Sequence, residues 1–439
     1  MVLALVCLLA SFALGTYLTL GPNTPTPNQP STPHTHNIPV TTDQHQAEVA
    51  AVAQQYMNAF LGQHYDTMWA MLHPEIQTTW NDQAAFIQFW KTHFQDYTLQ
   101  NFTTGQAHDL PIWTNPETML QYTNITEIPV SLQIEIKKMP SQQLAPLAPQ
   151  FLHPSMIFRD LPFILQRTTP AQDSTGASSQ WRVLVGGPAD LEAPILPPFT
   201  QVSKKIRVPI LMYHHISDVK AKNILDLSLT ITPTMFNKQL DYLKHQGYHS
   251  ITFNQLFEAL YYNGPLPTKP IILTFDDGYD DAYKFAYPAL KAHGYSGMFY
   301  IITGKVGWQG QATWDQMRNM LTNGMQFGSH TIHHINIGQV LLNSRIQAQQ
   351  EVQISQTDLQ KHLGIVVQQF CYPSGEPFRH GSLAVRQQVM ALLAANGYVG
   401  ATTDPGLTGL VQDSQTPLAL LRVRVDGRES LLGFMLSVP

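Results

Sequence analysis

Leu273-Thr274-Phe275-Asp276-Asp277-Gly278 closes an apolar run that begins at Ile271 and breaks abruptly into two adjacent carboxylates. The run from Ile271 to Phe275 is short, with β-branched and aromatic residues, and Asp-Asp-Gly is a turn signature. Together they read as a buried strand carrying charged groups at its C-terminal end. Downstream, Gln326-Phe327-Gly328 leads into Ser329-His330-Thr331-Ile332-His333-His334. His330 and His334 have the i, i+4 spacing of a metal pair on a helix face. The two stretches supply two imidazoles and one carboxylate for a metal, with a second carboxylate left to move protons. That is the donor set of a hydrolytic zinc-type site, where three protein groups hold the ion and one position stays open.

The surrounding sequence alternates strand and helix patterns. Pro209 to Tyr213 reads as a buried strand, Met235 to Gln246 as an amphipathic helix ending at Gly247, and Ala282 to His293 as a helix. Gly297 to Ile302 is a strand, Arg345 to Leu363 a long helix and Val366 to Cys371 another strand. Such alternation over 207–439 predicts an α/β barrel with its chemistry at the C-terminal ends of the strands. The candidate residues fit that rule. His214 and His215 follow the first strand, Asp276 and Asp277 the Leu273 strand, His330 the Phe327 strand, and Ser374 the Cys371 strand. Any one of them has an ordinary structural explanation, a turn or a chance histidine spacing. Their occurrence in order, all at strand ends, does not.

The region 43–190 has a different pattern. Val49, Val52, Ala53, Tyr56 and Phe60 recur at helical spacing, as do Tyr65, Met68, Trp69 and Leu72, and then Phe86, Phe89, Trp90 and Phe94. The period changes to two at Val130, Leu132, Ile134 and Ile136, and Phe163-Ile164-Leu165 and Trp181 to Val185 read as further strands. Helices followed by strands predict a smaller α+β domain. A Pro-rich linker, 191–206, joins it to the barrel. Ahead of both, Val2 to Leu20 contains no charged residue and is long enough to span a bilayer, so 1–20 is expected as a membrane anchor or a signal segment. The Pro/Thr-rich stretch 21–42 is expected to be a semi-extended spacer.

Composition narrows the partners. Of the 439 residues 44% are hydrophobic, enough for a sizeable core, while only 13% are charged and the net charge is -5, which gives no electrostatic case for nucleic acid. A neutral partner is favoured. The two cysteines, Cys7 and Cys371, lie in segments too different to pair, so no disulfide framework exists.

Thr274-Phe275-Asp276-Asp277-Gly278 and His330-Thr331-Ile332-His333-His334 resemble the first two motifs of the polysaccharide deacetylases, carbohydrate esterase family 4, also called the NodB-homology domain. The resemblance runs from about Val208 to the C-terminus. It implies a deformed (β/α) barrel and a metal-dependent hydrolase. Carried over residue by residue, it makes Asp277, His330 and His334 ligands of a divalent metal and Asp276 the general base. Zinc is the default for these donors, with cobalt, nickel or iron compatible. His333 falls on a variable position. The third motif of many members has an Arg that braces the catalytic Asp, and Cys371-Tyr372-Pro373-Ser374-Gly375 puts Cys371 in its place, which leaves the brace of Asp276 open. The third motif, with Pro209 to Ile216 and Leu421-Arg422-Val423, looks like the poly-N-acetylglucosamine deacetylase branch. There the His after Tyr is the general acid, which maps onto a protonated His214. The mechanism it implies puts an oxyanion donor near Ser374 and leaves Tyr372, Tyr213 and Trp314 as sugar-stacking candidates, with core packing the favoured role for any one of them. The implied partner is an N-acetylglucosamine polysaccharide; the alternatives are a peptidoglycan deacetylase and a non-catalytic glycan-binding surface protein. The 43–190 segment resembles the nuclear-transport-factor-2-like cone-shaped domains, on Tyr56 to Phe60, Tyr65 to Trp69 and Trp181-Arg182-Val183.

Overall fold

Parallel strands in the C-terminal half end level with one another, and that alignment builds the site. A computed structural model of the chain describes residues 43–115, 120–137, 155–168, 180–185, 203–404 and 409–439. Among them, one sheet runs in the order Gly400–Thr402, Gln369–Cys371, Gln326–Ser329, Met298–Ile301, Pro270–Phe275, Ile210–Tyr213 and Val423–Arg424, with His249–Ser250 added beside Pro270–Phe275. All of these neighbours are parallel. The sheet curls back on itself, because a bridge between Thr402 and Leu420 joins its first strand to the approach to its last. Phe275 lies opposite both Tyr213 and Phe299, Ser329 opposite Phe370, and Cys371 opposite Thr402. The residues that follow these strands therefore emerge along one rim.

The helices outside the sheet begin where the sequence provides caps. Thr232 caps Pro233–His245, Thr252 with Gln255 makes a capping box for Phe253–Tyr262, and Ser344 caps Arg345–Leu363. The long helix matches its expected bounds and stops at Gly364, whose φ of 65° is the left-handed conformation that glycine adopts without a Cβ penalty. Two expectations change. The segment expected as helix from Ala282 opens with a π-helical turn, Ala282–Ala286, before Tyr287–His293, and the strand expected from Val366 is only Gln369–Cys371.

The N-terminal part follows its period change. Helices Asp43–Leu61, Tyr65–Met71, Pro74–Thr79 and Gln83–His93 precede an antiparallel sheet ordered Tyr97–Thr104, Gln121–Ile136, Ser155–Arg167, Trp181–Val183, with His108–Thr114 also on Gln121–Ile136. Its core is continuous with the interior of the barrel: one cluster of buried side chains holds Tyr56, Phe86, Phe158 and Phe163 together with Ile210, Phe257, Ile272 and, near the rim, Cys371. Polar bonds cross the same contact, from His93 Nε2 to Glu258 Oε1 at 2.8 Å and from Arg159 Nη1 to Asn396 Oδ1 at 3.0 Å. Among the described residues no helix is long and apolar enough to cross a membrane. The expected anchor at 1–20, the spacer at 21–42 and most of the 191–206 linker lie outside the described residues.

Candidate active site

Asp277 leaves the Pro270–Phe275 strand with φ of 73°, followed by Gly278 at 72°. Two successive left-handed residues reverse the chain sharply. A side chain at Asp277 is held in this conformation only because the surroundings over-determine it. The turn splits the adjacent carboxylates. Asp277 Oδ1 lies 3.4 Å from His330 Nε2 and 3.3 Å from His334 Nε2, and it is buried without a hydrogen-bond partner. His330 and His334 are not on a helix face, as their spacing suggested. They belong to a loop in which Thr331 and His334 take φ of 64° and 59°. That loop is tied down by Glu351 from the long helix, a buried carboxylate that accepts the backbone N–H groups of Ile332 and His333 at 3.0 and 3.1 Å and His333 Nδ1 at 2.6 Å.

The three-residue cluster fits a divalent metal. One oxygen and two ring nitrogens lie within 4.8 Å of one another. His330 Nδ1 sits 2.8 Å from the Cys371 carbonyl oxygen, so Nδ1–H donates there and Nε2 faces Asp277. Burial opposes the charged ring, but Cys371 and the Asp277 carboxylate outweigh burial and raise the His330 pKa well above the ordinary imidazole value. Burial would raise the Asp277 pKa, yet the flanking imidazoles hold it well below the usual carboxylate range. Burial and the neighbouring His330 push His334 down to about 4. An ionised carboxylate and neutral imidazoles bind metal, so Asp277 and His334 are already in that state and His330 would release a proton on binding. Asp276, His330 and Cys371 form a second group of possible donors, but a guanidinium already fills the space beside two of them.

That guanidinium belongs to Arg422. It grips Asp276 through two parallel bonds, Nη1 to Oδ1 at 2.7 Å and Nη2 to Oδ2 at 2.8 Å, and both side chains are almost fully buried. Nη1 also reaches Thr274 Oγ1 at 3.1 Å, Nε donates to the Thr403 carbonyl at 3.2 Å, and Nη2 lies 3.3 Å from Cys371 Sγ. The brace that Cys371 left open is therefore supplied from elsewhere: the arginine comes from the approach to the last strand, and the small thiol leaves room for it. Burial pushes the Asp276 carboxyl up, but the Arg422 charge and bonds outweigh it and keep it below its ordinary value. His214 Nε2 stands 3.9 Å from Asp276 Oδ2. Here too an expectation changes. Burial lowers the His214 pKa against the pull of both aspartates, so His214 rests neutral at neutral pH rather than protonated.

Comparison with known proteins identifies this arrangement. The family model described as polysaccharide deacetylase matches residues 263–397. The Bacillus subtilis protein YxkH, which carries the name polysaccharide deacetylase, is 30% identical over 230 residues, 51% of this chain and 74% of that one. The chain belongs to the polysaccharide deacetylase family. It is therefore a hydrolase acting on carbon–nitrogen bonds. It is also similar to the poly-β-1,6-N-acetyl-D-glucosamine N-deacetylases of Staphylococcus aureus, 30% identical over 117 residues (24% of this chain, 39% of that one), and Escherichia coli K12, 31% over 80 residues (18% and 12%). Among solved structures, the Streptococcus pyogenes deacetylase PplD in complex with acetate is 28% identical and covers 54% of this chain and 100% of its own, with a TM-score of 0.47.

In this deacetylase the remaining candidates separate. Ser374 is exposed in the Pro373–Gly375 turn with φ of 55°. Tyr372 does not reach the site: its ring is buried and its hydroxyl donates to the Leu418 carbonyl at 2.8 Å, so the expected sugar or oxyanion contact from its side chain is withdrawn. Tyr213 is likewise buried, with its hydroxyl on Gln239 Oε1 at 3.1 Å, and Trp314 stacks on His362 at 4.3 Å on an outer helix. Tyr213 ends, and Tyr372 directly follows, a short strand that is buried along its whole length, Ile210–Tyr213 and Gln369–Cys371 respectively. Leu421-Arg422-Val423 stood out in the sequence only as a branch feature, with no role for Arg422, and nothing singled out Glu351. A lone Arg between Leu421 and Val423 at a strand start was a usable signal, since a buried guanidinium needs an anion.

Proposed function

We propose that the chain is a metal-dependent N-deacetylase that removes acetyl groups from N-acetylglucosamine units of a poly-N-acetylglucosamine-type surface polysaccharide. One observation carries the reading. The two adjacent carboxylates have separate partners, Asp277 facing two imidazoles and Asp276 facing Arg422 and His214. The similarity to the Staphylococcus aureus and Escherichia coli enzymes supports the choice of sugar. The placement of His214 beside Asp276 supports the same branch.

Asp277, His330 and His334 would hold a zinc-type ion, which would supply Lewis acidity toward a water and the acetamide carbonyl. Asp276 takes a proton from the attacking water; Arg422 keeps it ionised and fixes its plane. The water oxygen bonds to the carbonyl carbon, and the backbone N–H at Ser374 is the proposed donor to the developing oxyanion. His214, neutral at rest, receives the proton from Asp276 and gives it to the departing sugar nitrogen. The carbon–nitrogen bond breaks, and acetate and a free glucosamine amine leave. On this reading 207–439 is the catalytic part and 43–190 a non-catalytic companion, a spacer or a ligand pocket. The uncharged run Val2 to Leu20 supports a position outside the cytoplasm.

Acetate release from β-1,6-linked N-acetylglucosamine oligomers and from peptidoglycan, each with added zinc or cobalt, tests the reading. Release from the oligomers above an Asp276→Asn control is expected. Release from peptidoglycan alone selects the alternative substrate, and release from neither removes the catalytic reading.

A further inference from the structure

Between the Met298–Ile301 strand and the Trp314–Leu321 helix, residues Thr303 to Ala312 form a strap across both halves of the site. At one end Thr303 and Gly304 donate backbone N–H bonds to the carbonyls of Thr331 and Ile332, inside the His330–His334 loop, at 3.2 and 3.0 Å. At the other end Ala312 N–H donates to the Gly278 carbonyl at 2.9 Å, and Asp280 N–H donates to Gly310 at 3.0 Å. In the amide orientation that satisfies both of its ends, Gln311 adds bonds to the carbonyls of Asp277 at 2.8 Å and Gly278 at 3.1 Å. The strap is also cross-tied within itself, by Trp308 N–H to Lys305 at 3.0 Å, Gln311 N–H to Trp308 at 2.9 Å and Gly307 N–H to Ala312 at 3.0 Å. Gly307 and Gly310 turn the chain with φ of 80° and 82°. The result is a short, rigid loop pinned to the backbones that carry the metal-site residues.

At the apex of this strap Trp308 is 62% exposed. The neighbouring apex residues Gly307, Gln309 and Gly310 are exposed as well. A tryptophan left in water forgoes a large apolar burial, and an indole held on a rigid loop can bind a ligand with little ordering cost. The rim of the site is where such a surface acts on substrate. We propose that Trp308 is a sugar-binding subsite, on which the apolar face of a pyranose ring next to the acetylated unit stacks. This rests on the polysaccharide N-deacetylase reading and deepens it, since it predicts that the enzyme reads several linked sugars rather than one.

The test uses the metal-loaded full chain and compares Trp308→Ala and Trp308→Phe with the parent. KM and kcat for acetate release are measured on the β-1,6-linked N-acetylglucosamine pentamer, chitopentaose and a peptidoglycan glycan strand. The Kd of the fully deacetylated β-1,6-linked pentamer is measured by calorimetry. Loss of a central aromatic contact corresponds to about fivefold to thirtyfold weaker binding. Trp308→Ala is expected to raise KM and the pentamer Kd by that factor, with the loss falling on KM rather than kcat, and Trp308→Phe is expected to recover most of it. Because the side chain is exposed, both variants should melt with the parent. If the parent releases acetate and Trp308→Ala shows the parent's KM and Kd, the subsite is wrong and the deacetylase reading stands. If the parent releases acetate from none of the three glycans, the deacetylase reading fails and the subsite falls with it.

Discussion

Arg422→Met would leave Asp276 buried and without its counter-ion. The side chains are 2% and 3% exposed, so solvent screens the pair little. Breaking a buried ion pair from one side costs about 3–5 kcal/mol, because the remaining charge keeps its desolvation penalty and loses its partner. Arg422→Met also gives up the bonds to Thr274 and the Thr403 carbonyl, which places it toward the upper end of that range. Asp276→Asn keeps the shape but strands the guanidinium, at a cost of about 3 kcal/mol on the same argument. The double variant Arg422→Met/Asp276→Asn has no stranded charge. It should be about 2–3 kcal/mol more stable than the sum of the single changes predicts. Urea unfolding followed by circular dichroism, in EDTA so that metal binding does not contribute, gives the four free energies of the cycle. Additivity within about 0.5 kcal/mol, the behaviour of independent sites, would refute the pair as the element that holds Asp276.

Cys371→Arg, which puts an arginine in the third motif, should destabilise the protein by about 1–3 kcal/mol, since Arg422 Nη2 already lies 3.3 Å from the Cys371 sulfur and a second guanidinium overfills the space; a melting temperature at or above the parent's contradicts this. Glu351→Leu removes the acceptor for three donors of the His330–His334 loop and should weaken zinc binding about 10- to 100-fold, whereas Glu351→Gln, which can still accept both backbone N–H groups, should stay much closer to the parent in a chelator competition. Zinc at 100 times its Kd should stabilise the parent by about 2.7 kcal/mol and His330→Ala by far less, read as the shift of the urea midpoint. Phe158→Ala opens the contact between the N-terminal sheet and the Gly397 turn of the barrel and should cost about 3–5 kcal/mol while leaving acetate release per folded molecule unchanged, because Phe158 is remote in the fold from the rim.

Much of this protein is written locally. Alternating apolar residues and Gly, Pro and Asp punctuation set the strands and helices, and the capped Arg345–Leu363 helix came out at its expected limits. The adjacent Asp276 and Asp277 and the spacing of His330 and His334 declared a metal-type donor set, because those side chains act from loops only a few residues long. The geometry around them was not local. Whether the histidines sat on a helix or a loop depended on Glu351, a carboxylate 18 residues beyond His333. Whether Asp276 had a brace depended on Arg422, 146 residues further along the chain. Whether Tyr372 could touch a sugar depended on what packed over the end of the Gln369–Cys371 strand, and its hydroxyl is taken by the Leu418 carbonyl, 46 residues further along the chain. The amino-acid sequence by itself determined the strands, their order of chemistry and the donor types, since these follow from nearest-neighbour patterning. The tertiary structure decided the counter-ion, the loop anchor and the resting charge of His214, since burial and pairing arise only when distant segments close around them.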